Sequence, residues 1–169
     1  LERNGDVVQM ASYAPLFAHA DAWQWTPDLI WFDNLRSYGT PNYYVQKLFA
    51  RNKGTHFIPV MENGETVKGK DSIYASSVID KTTGEVIVKI VNASSTAVSI
   101  ETTIEGTKLS KKEGQIEVIS SVDKSGVNSF DSPQSIIPLT EKVAIKKNQV
   151  SVEIKPLSLT VIRVPFNNK

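Results

Sequence analysis

Within the stretch Ala11 to Phe49 this chain gathers all three of its tryptophans (Trp23, Trp25, Trp31), four of its five tyrosines, one of its two histidines and three aspartates. Trp23 and Trp25 stand two residues apart in a run bounded by His19, Asp21 and Pro27, and wide rings in such a loop either pack against a neighbour or stack on a ligand. In loops over the C-terminal end of a barrel strand, rings of this kind stack on the apolar faces of sugars, and that end is where such barrels keep their active sites. Asp21, Asp28 and Asp33 invite a second chemistry, the paired carboxylates of a glycosidase. Asp28 follows a proline, however, and Asp33 precedes Asn34 at the end of an apolar run, so both read more simply as cap or turn acceptors.

Other chemistries find little support. His19 and His56 are far apart and lack carboxylates at helical spacing, which argues against a metal site. With no cysteine there is neither a disulfide nor a thiolate nucleophile. No Gly-x-Ser-x-Gly elbow and no glycine-rich phosphate loop occurs, so nucleophilic serine chemistry and nucleotide binding are disfavoured and no cofactor is expected. A net charge of +1, from 19 basic and 18 acidic residues, leaves no electrostatic footprint for nucleic acid. No apolar run approaches the roughly 18–20 residues of a membrane span, so no membrane partner is expected. The Asn92-Ala93-Ser94 triplet is too common a pattern to imply glycosylation.

The elements that must position the aromatic run change character near residue 54. Before it, Asp6 to Phe17 has a near-continuous apolar centre, as in a parallel strand covered on both faces. A long loop follows, then a helix over 41–52. Thr40 is suited to cap that helix and Pro41 to open it. Tyr44, Val45, Leu48 and Phe49 share one helical face, and Gly54 reads as the stop. Leu1–Gly5 reads as the tail of a preceding helix, and the opening residues resemble neither an initiator nor a signal peptide, so the chain looks cut from something longer. After residue 54 the apolar positions alternate: Val86, Val88 and Ile90, then Val98, Ile100 and Ile104, then Val150, Val152 and Ile154. Turn residues at Glu62-Asn63-Gly64, Lys81–Gly84, Asn92–Ser95, Glu105-Gly106 and Lys147-Asn148 punctuate them. Eight strands are predicted near 55–61, 72–80, 85–92, 97–105, 115–122, 142–146, 149–155 and 158–164, with 123–140 as a long crossing connection. The fold class is mainly β: an antiparallel β-sandwich preceded by a strand-loop-helix unit that cannot bury itself alone.

The motifs ERNGDVVQMASYAPLF (2–17), WQWTPDLIWFDN (23–34), YGTPNYYVQKLF (38–49), NSFDSPQSIIP (128–138) and PLSLTVIRV (156–164) closely resemble the C-terminal part of α-L-arabinofuranosidases of glycoside hydrolase family 51. The resemblance implies a C-terminal piece of a (β/α)8 catalytic barrel over residues 1–54 and a C-terminal β-sandwich over 55–169. Residues near 7–17 would be the last barrel strand, 18–40 the loop above it and 41–53 the last barrel helix. It further implies a retaining enzyme that releases terminal arabinofuranosyl units from arabinose-containing polysaccharides or oligosaccharides, polymer substrates that favour secretion or the periplasm. The family's two catalytic glutamates lie at the ends of the fourth and seventh barrel strands, both upstream of Leu1, and Glu2 lies in the wrong motif to be either. The fragment alone is therefore expected to be inert, with the upstream barrel of the same chain as its partner. Gly5, where serine is more usual, should touch a helix end and not the chemistry. Tyr13, Ala14 and Pro15 would end the eighth strand and Trp23 and Trp25 would lie in the loop beyond, so Tyr13, Pro15, Trp23 and Trp25 are the expected substrate-facing positions. Two further expectations stand beside these: a non-catalytic carbohydrate-binding module gripping sugar with Trp23 and Trp25, and self-association through a sheet edge left exposed where upstream strands are missing.

Overall fold

The structure, a computed structural model, describes residues 1–167. A single 3-10 turn at Glu2–Asn4 comes first, followed by an irregular run. Three short strands, β1 (Phe17–His19), β2 (Ile30–Phe32) and β3 (Ser37–Gly39), then lead into helix α1 (Pro41–Arg51). The remaining strands are β4 (His56–Ile58), β5 (Met61–Glu62), β6 (Glu65–Thr66), β7 (Ile73–Asp80), β8 (Glu85–Asn92), β9 (Val98–Thr103), β10 (Glu113–Ser120), β11 (Leu139–Ala144), β12 (Gln149–Ile154) and β13 (Ser158–Pro165). Six of them form one antiparallel sheet in the order β11-β10-β13-β8-β7-β4. Opposite it lies the two-stranded antiparallel sheet β12-β9, and the β5–β6 hairpin brings Val60 and Val67 onto the same core. Each predicted run contains a strand, but the one expected over 142–146 forms earlier, over Leu139–Ala144, which shortens the crossing connection, and the one expected over 55–61 breaks into β4 and β5 at Pro59.

Between the layers, Val86, Val88 and Ile90 of β8 and Ile162 and Val164 of β13 meet Val150 and Ile154 of β12. Alternation places the intervening residues on the other face. There Ile87, Leu159, Val161, Val78 and Ile119 receive Leu48 of α1, with Tyr44, Val45 and Phe49 alongside. The predicted apolar stripe of the helix is therefore the one that packs. Thr40 caps it by accepting from the Tyr43 N–H at 3.3 Å, and Pro41 opens it.

The far end of the helix differs from the expectation. Asn52, not Gly54, closes it: its backbone N–H and its Nδ2 both donate to the Leu48 carbonyl, at 3.1 and 2.9 Å. Gly54 is needed for another reason, because a Cβ there would lie 2.6 Å from the Val78 side chain as the chain passes over β7. Asn52 also accepts from Arg163 Nη1 at 2.8 Å and donates to Glu117 Oε2 at 3.4 Å, and the Arg163 guanidinium pairs with Glu85. The helix end is thus tied to β13, β10 and β8 by charge-assisted bonds.

The strand expected across Asp6–Phe17 shrinks to β1. Among the described residues its ladder partner is β2, in a parallel register of Phe17 on Ile30, and residues 6–15 of the expected strand join no ladder, so Val7 and Met10 are 76% and 87% exposed. A strand buried on both faces needs neighbours on both sides, which this segment lacks. Part of the expected loop over 18–40 is instead ordered as β2 and β3, which pair antiparallel. The crossing connection after β10 is held to β3 by Asn128. Its Nδ2 donates to the carbonyls of Gly39 and Ile136 at 2.9 and 3.0 Å, and its Oδ1 accepts from the Ile136 N–H at 2.8 Å. At the β5–β6 turn, Asn63 and Gly64 both take positive φ, 51° and 83°, as a two-residue hairpin with the right twist requires.

Asn92 closes the β8–β9 corner from a fully buried position. Its Nδ2 reaches the carbonyls of Thr96 at 2.7 Å and Ile154 at 3.3 Å, and its Oδ1 accepts from Ser94. Thr160, by contrast, encloses its hydroxyl oxygen in the sandwich interior with no partner among the described residues. Replacing Thr160 with valine removes that hydroxyl at nearly constant volume and is expected to raise stability by about 1 kcal/mol. The gain reads as a higher urea midpoint at unchanged slope; a lower midpoint would mean that the hydroxyl contributes a bond.

Candidate functional site

The aromatic stretch folds around β1-β2-β3. Parallel pairing of β1 with β2 sets His19 beside Phe32, with ring centroids 5.2 Å apart, and Phe17 meets the same Phe32 ring edge-on at 6.3 Å. Trp31, on the middle strand, receives the edge of Trp23 at 5.7 Å. Trp23 is nonetheless 50% exposed, and Trp25 is 66% exposed with no ring partner among the described residues. Tyr13 is half-buried, and its hydroxyl donates to the Pro27 carbonyl at 3.3 Å, which ties the irregular run to the loop that carries Trp25. Pro15 is half-buried and Ala14 exposed just before the anchor where the Ile30 N–H donates to the Leu16 carbonyl at 3.0 Å. The structure therefore gathers Tyr13 with the Trp25 loop and seats Trp23 on Trp31, while Trp23 and Trp25 do not stack on one another. Such a ledge presents apolar ring faces and a few backbone carbonyls. Exposed rings of this kind are suited to stacking on an apolar face.

The aspartates take separate positions. Asp33 Oδ1 accepts from the backbone N–H groups of Leu35 and Arg36 at 2.8 and 2.6 Å, and its Oδ2 accepts from the Arg36 guanidinium at 2.9 Å. The Leu35 N–H first of all, helped by Arg36, holds the Asp33 carboxyl below its ordinary value. It is a turn acceptor, as its sequence context suggests. Arg36 in turn lies over the Phe130 ring at 4.9 Å, and Phe130 packs edge-on against Tyr38, so the crossing connection is pinned to the β2–β3 hairpin a second time. Burial lifts the Tyr38 phenol. Asp28 differs from the turn-acceptor reading: it is 2% exposed and its Oδ1 is enclosed without a partner among the described residues. Asp21 is exposed, its backbone N–H donating to His19 Nδ1 at 3.2 Å. His56 faces Thr55 at 2.9 Å, and among the described residues no three acidic or imidazole side chains cluster as metal ligands.

Sequence reasoning missed Asn128, Arg36 and Phe130, which fix the hairpin behind the aromatic ledge. A signal existed for Asn128, because it opens the turn-rich NSFDSPQSIIP run, where an asparagine side chain commonly bonds nearby backbone.

Residues 1–158 match the sequence model of the α-L-arabinofuranosidase C-terminal domain. The chain is 31% identical over 166 residues to α-L-arabinofuranosidase 1 of Arabidopsis thaliana, covering 95% of this chain and 24% of that protein. Over 59 residues, 35% of this chain and 7% of the other, it is 58% identical to the extracellular exo-α-L-arabinofuranosidase of Streptomyces chartreusis. Among solved structures, an arabinose-bound GH51 α-L-arabinofuranosidase superposes with a TM-score of 0.86 at 31% identity, over 98% of this chain and 25% of that one. The chain thus spans between a fifth and a quarter of the plant relatives it matches.

Because the Asp33 carboxyl is held low by bonds that only the folded turn supplies, its contribution is fully present above the unfolded value of 3.8 and is lost as pH falls through the lower folded value. The Leu35 and Arg36 amide resonances are expected to titrate together with a midpoint below 3.8, and to stop titrating in D33N. A midpoint at or above 3.8 would show that the carboxylate is not held by this turn.

Proposed function

The chain belongs to the α-L-arabinofuranosidase C-terminal domain family, and we propose from that premise that it serves a retaining enzyme which releases terminal arabinofuranosyl units from arabinose-containing polysaccharides. In this reading residues 1–54 complete a (β/α)8 barrel and residues 55–169 form the sandwich that packs against it. The catalytic carboxyl pair comes from the polypeptide upstream. One observation carries the proposal: the likeness to an arabinose-bound enzyme extends over nearly all of this chain but only a quarter of that one. Within the whole enzyme, Tyr13, Pro15, Trp23 and Trp25 form part of the sugar-facing wall. The exposed ring of Trp25 and the tether from Tyr13 to Pro27 support this, since together they leave an aromatic ledge at one end of the barrel piece.

With an aryl α-L-arabinofuranoside the full-length enzyme should turn over and the 169-residue chain should not. Activity in the chain alone would place the acid/base pair within it. In the full-length enzyme, W25A is expected to lower kcat/KM about fivefold, from the loss of roughly 1 kcal/mol of stacking. The alternative, a sugar-binding module, draws on the same exposed tryptophans. It predicts saturable quenching of the isolated chain's fluorescence by arabino-oligosaccharides, abolished in W23A and W25A. An unquenched chain retires that alternative.

We also propose that the isolated chain self-associates through a sheet edge. Among the described residues the ladder of β9 and β12 joins only these two strands, Gln149 alone bridging outward to Lys146, so the rest of each outer edge carries unpaired backbone groups. Sedimentation velocity should show a concentration-dependent shift that S99P in β9 or S151P in β12 suppresses. A monomer at all concentrations would overturn it.

A further inference from the structure

Lys89 sits in the middle of the otherwise apolar β8 run Val86-Ile87-Val88-Lys89-Ile90-Val91 and is only 1% exposed. A methionine or leucine would fill that volume with no desolvation cost, so the lysine there is explained by what it reaches. Its Nζ donates to Glu2 Oε1 at 2.5 Å and lies 5.7 Å from the Phe49 ring centroid. The other Glu2 oxygen accepts from the Ser76 hydroxyl at 2.7 Å, and Arg3 Nη2 donates to the Ala75 carbonyl at 2.8 Å. Glu2 and Arg3 are therefore clamped onto β7 and β8 by three bonds, two of them from side chains of the sandwich. Beyond them the chain has few ties to the rest of the fold. Tyr13 reaches Pro27, and the next backbone anchor is the bond between Leu16 and Ile30. Residues 5–15, which include Tyr13 and Pro15, hang between these two fixed ends.

We propose that Lys89 is a positioning residue: through Glu2 it makes the sandwich hold the entry to the segment that carries Tyr13 and Pro15, and so sets the sugar-facing wall of the enzyme. The positioning role in catalysis rests on the function proposed above; the clamp itself does not. Near a reacting centre, a displacement of about 1 Å costs up to about a hundredfold in rate.

Two measurements decide it. In the 169-residue chain, trypsin cleavage after Arg3 and hydrogen exchange over residues 5–17 are compared for wild type, K89M, E2Q and S76A, the last two leaving the sheet interior intact. Cleavage and exchange are expected to rise about tenfold or more in K89M and several-fold in E2Q and S76A, with the thermal midpoint of the sandwich retained in E2Q and S76A. The double variant E2M/K89M, which replaces the ion pair by apolar contact, should recover at least half of the protection. In the full-length enzyme, assayed well below its midpoint, K89M should lower kcat/KM ten- to a hundredfold, mainly through kcat, and E2M/K89M should restore part of it. Unchanged cleavage in K89M, E2Q and S76A overturns the clamp. Faster cleavage with wild-type kcat/KM overturns the positioning role alone. A wild-type enzyme inactive on the arabinofuranoside overturns the proposed function and the positioning role with it, while the cleavage result still decides the clamp.

Discussion

A sheet that is apolar on both faces cannot stand with one face in water, and the central strands β8 and β13 impose that condition on everything else. β8 buries Val86, Val88 and Ile90 toward the sandwich interior and Ile87 on the opposite side, while β13 buries Leu159 and Val161 outward and Ile162 and Val164 inward. The inner face is covered by β9, β12 and the small hairpin. Helix α1 must cover the outer one. Fully burying each large aliphatic side chain contributes about 1.5–3 kcal/mol, so helix α1 is held to the sandwich chiefly by Leu48 and its apolar neighbours.

Apolar contact alone would leave that helix free to slide. Polar pairs set into the same face remove the freedom: Asn52 with Arg163 and Glu117 at the helix end, and Glu2 with Lys89 and Ser76 where the chain enters. A buried ion pair seldom adds much net stability over well-packed hydrocarbon, but removing one partner is costly, so such pairs act as register marks. Burial pulls the Lys89 ammonium below its ordinary value, and the Glu2 carboxylate opposes that shift. Asn128 and the Arg36–Phe130 stack do the equivalent for the crossing connection, fastening it to the β3 hairpin.

How much of this could be read from the residues follows from the period of each element. Alternation exposed the seven longer strands, β7 to β13, because one face of each meets a single core, and the cap at Thr40 and the stripe from Tyr44 to Phe49 are local signals that tertiary context left intact. The Val86–Val91 run was read as a half-buried strand from Val86, Val88 and Ile90, and the second cover over Ile87 and Val91, with Lys89 among them, came only from the structure. What failed did so where the governing contact lies far off in sequence. Gly54 looked like a helix stop but is fixed by the approach of Val78, and Asp6–Phe17 looked like a doubly covered strand although only β2 pairs with its end. Asp28 looked like a turn acceptor and is instead enclosed. The aromatic ledge itself was legible from tryptophan spacing, but the pairing of β1 with β2 that displays it was not, since three-residue strands carry too little pattern to read.

The two layers of the sandwich are unequal, six strands against two. β9 and β12 share a ladder only with each other, so their backbone bonds can part without disturbing the ladders of β8 and β13. By its short ladder that thin layer is expected to open more readily than β8 and β13, although Val150 and Ile154 of β12 are themselves buried in the shared core. The helix and the aromatic segment are thus fixed to the six-stranded plate, the side expected to exchange more slowly, and not to the two-stranded cover opposite.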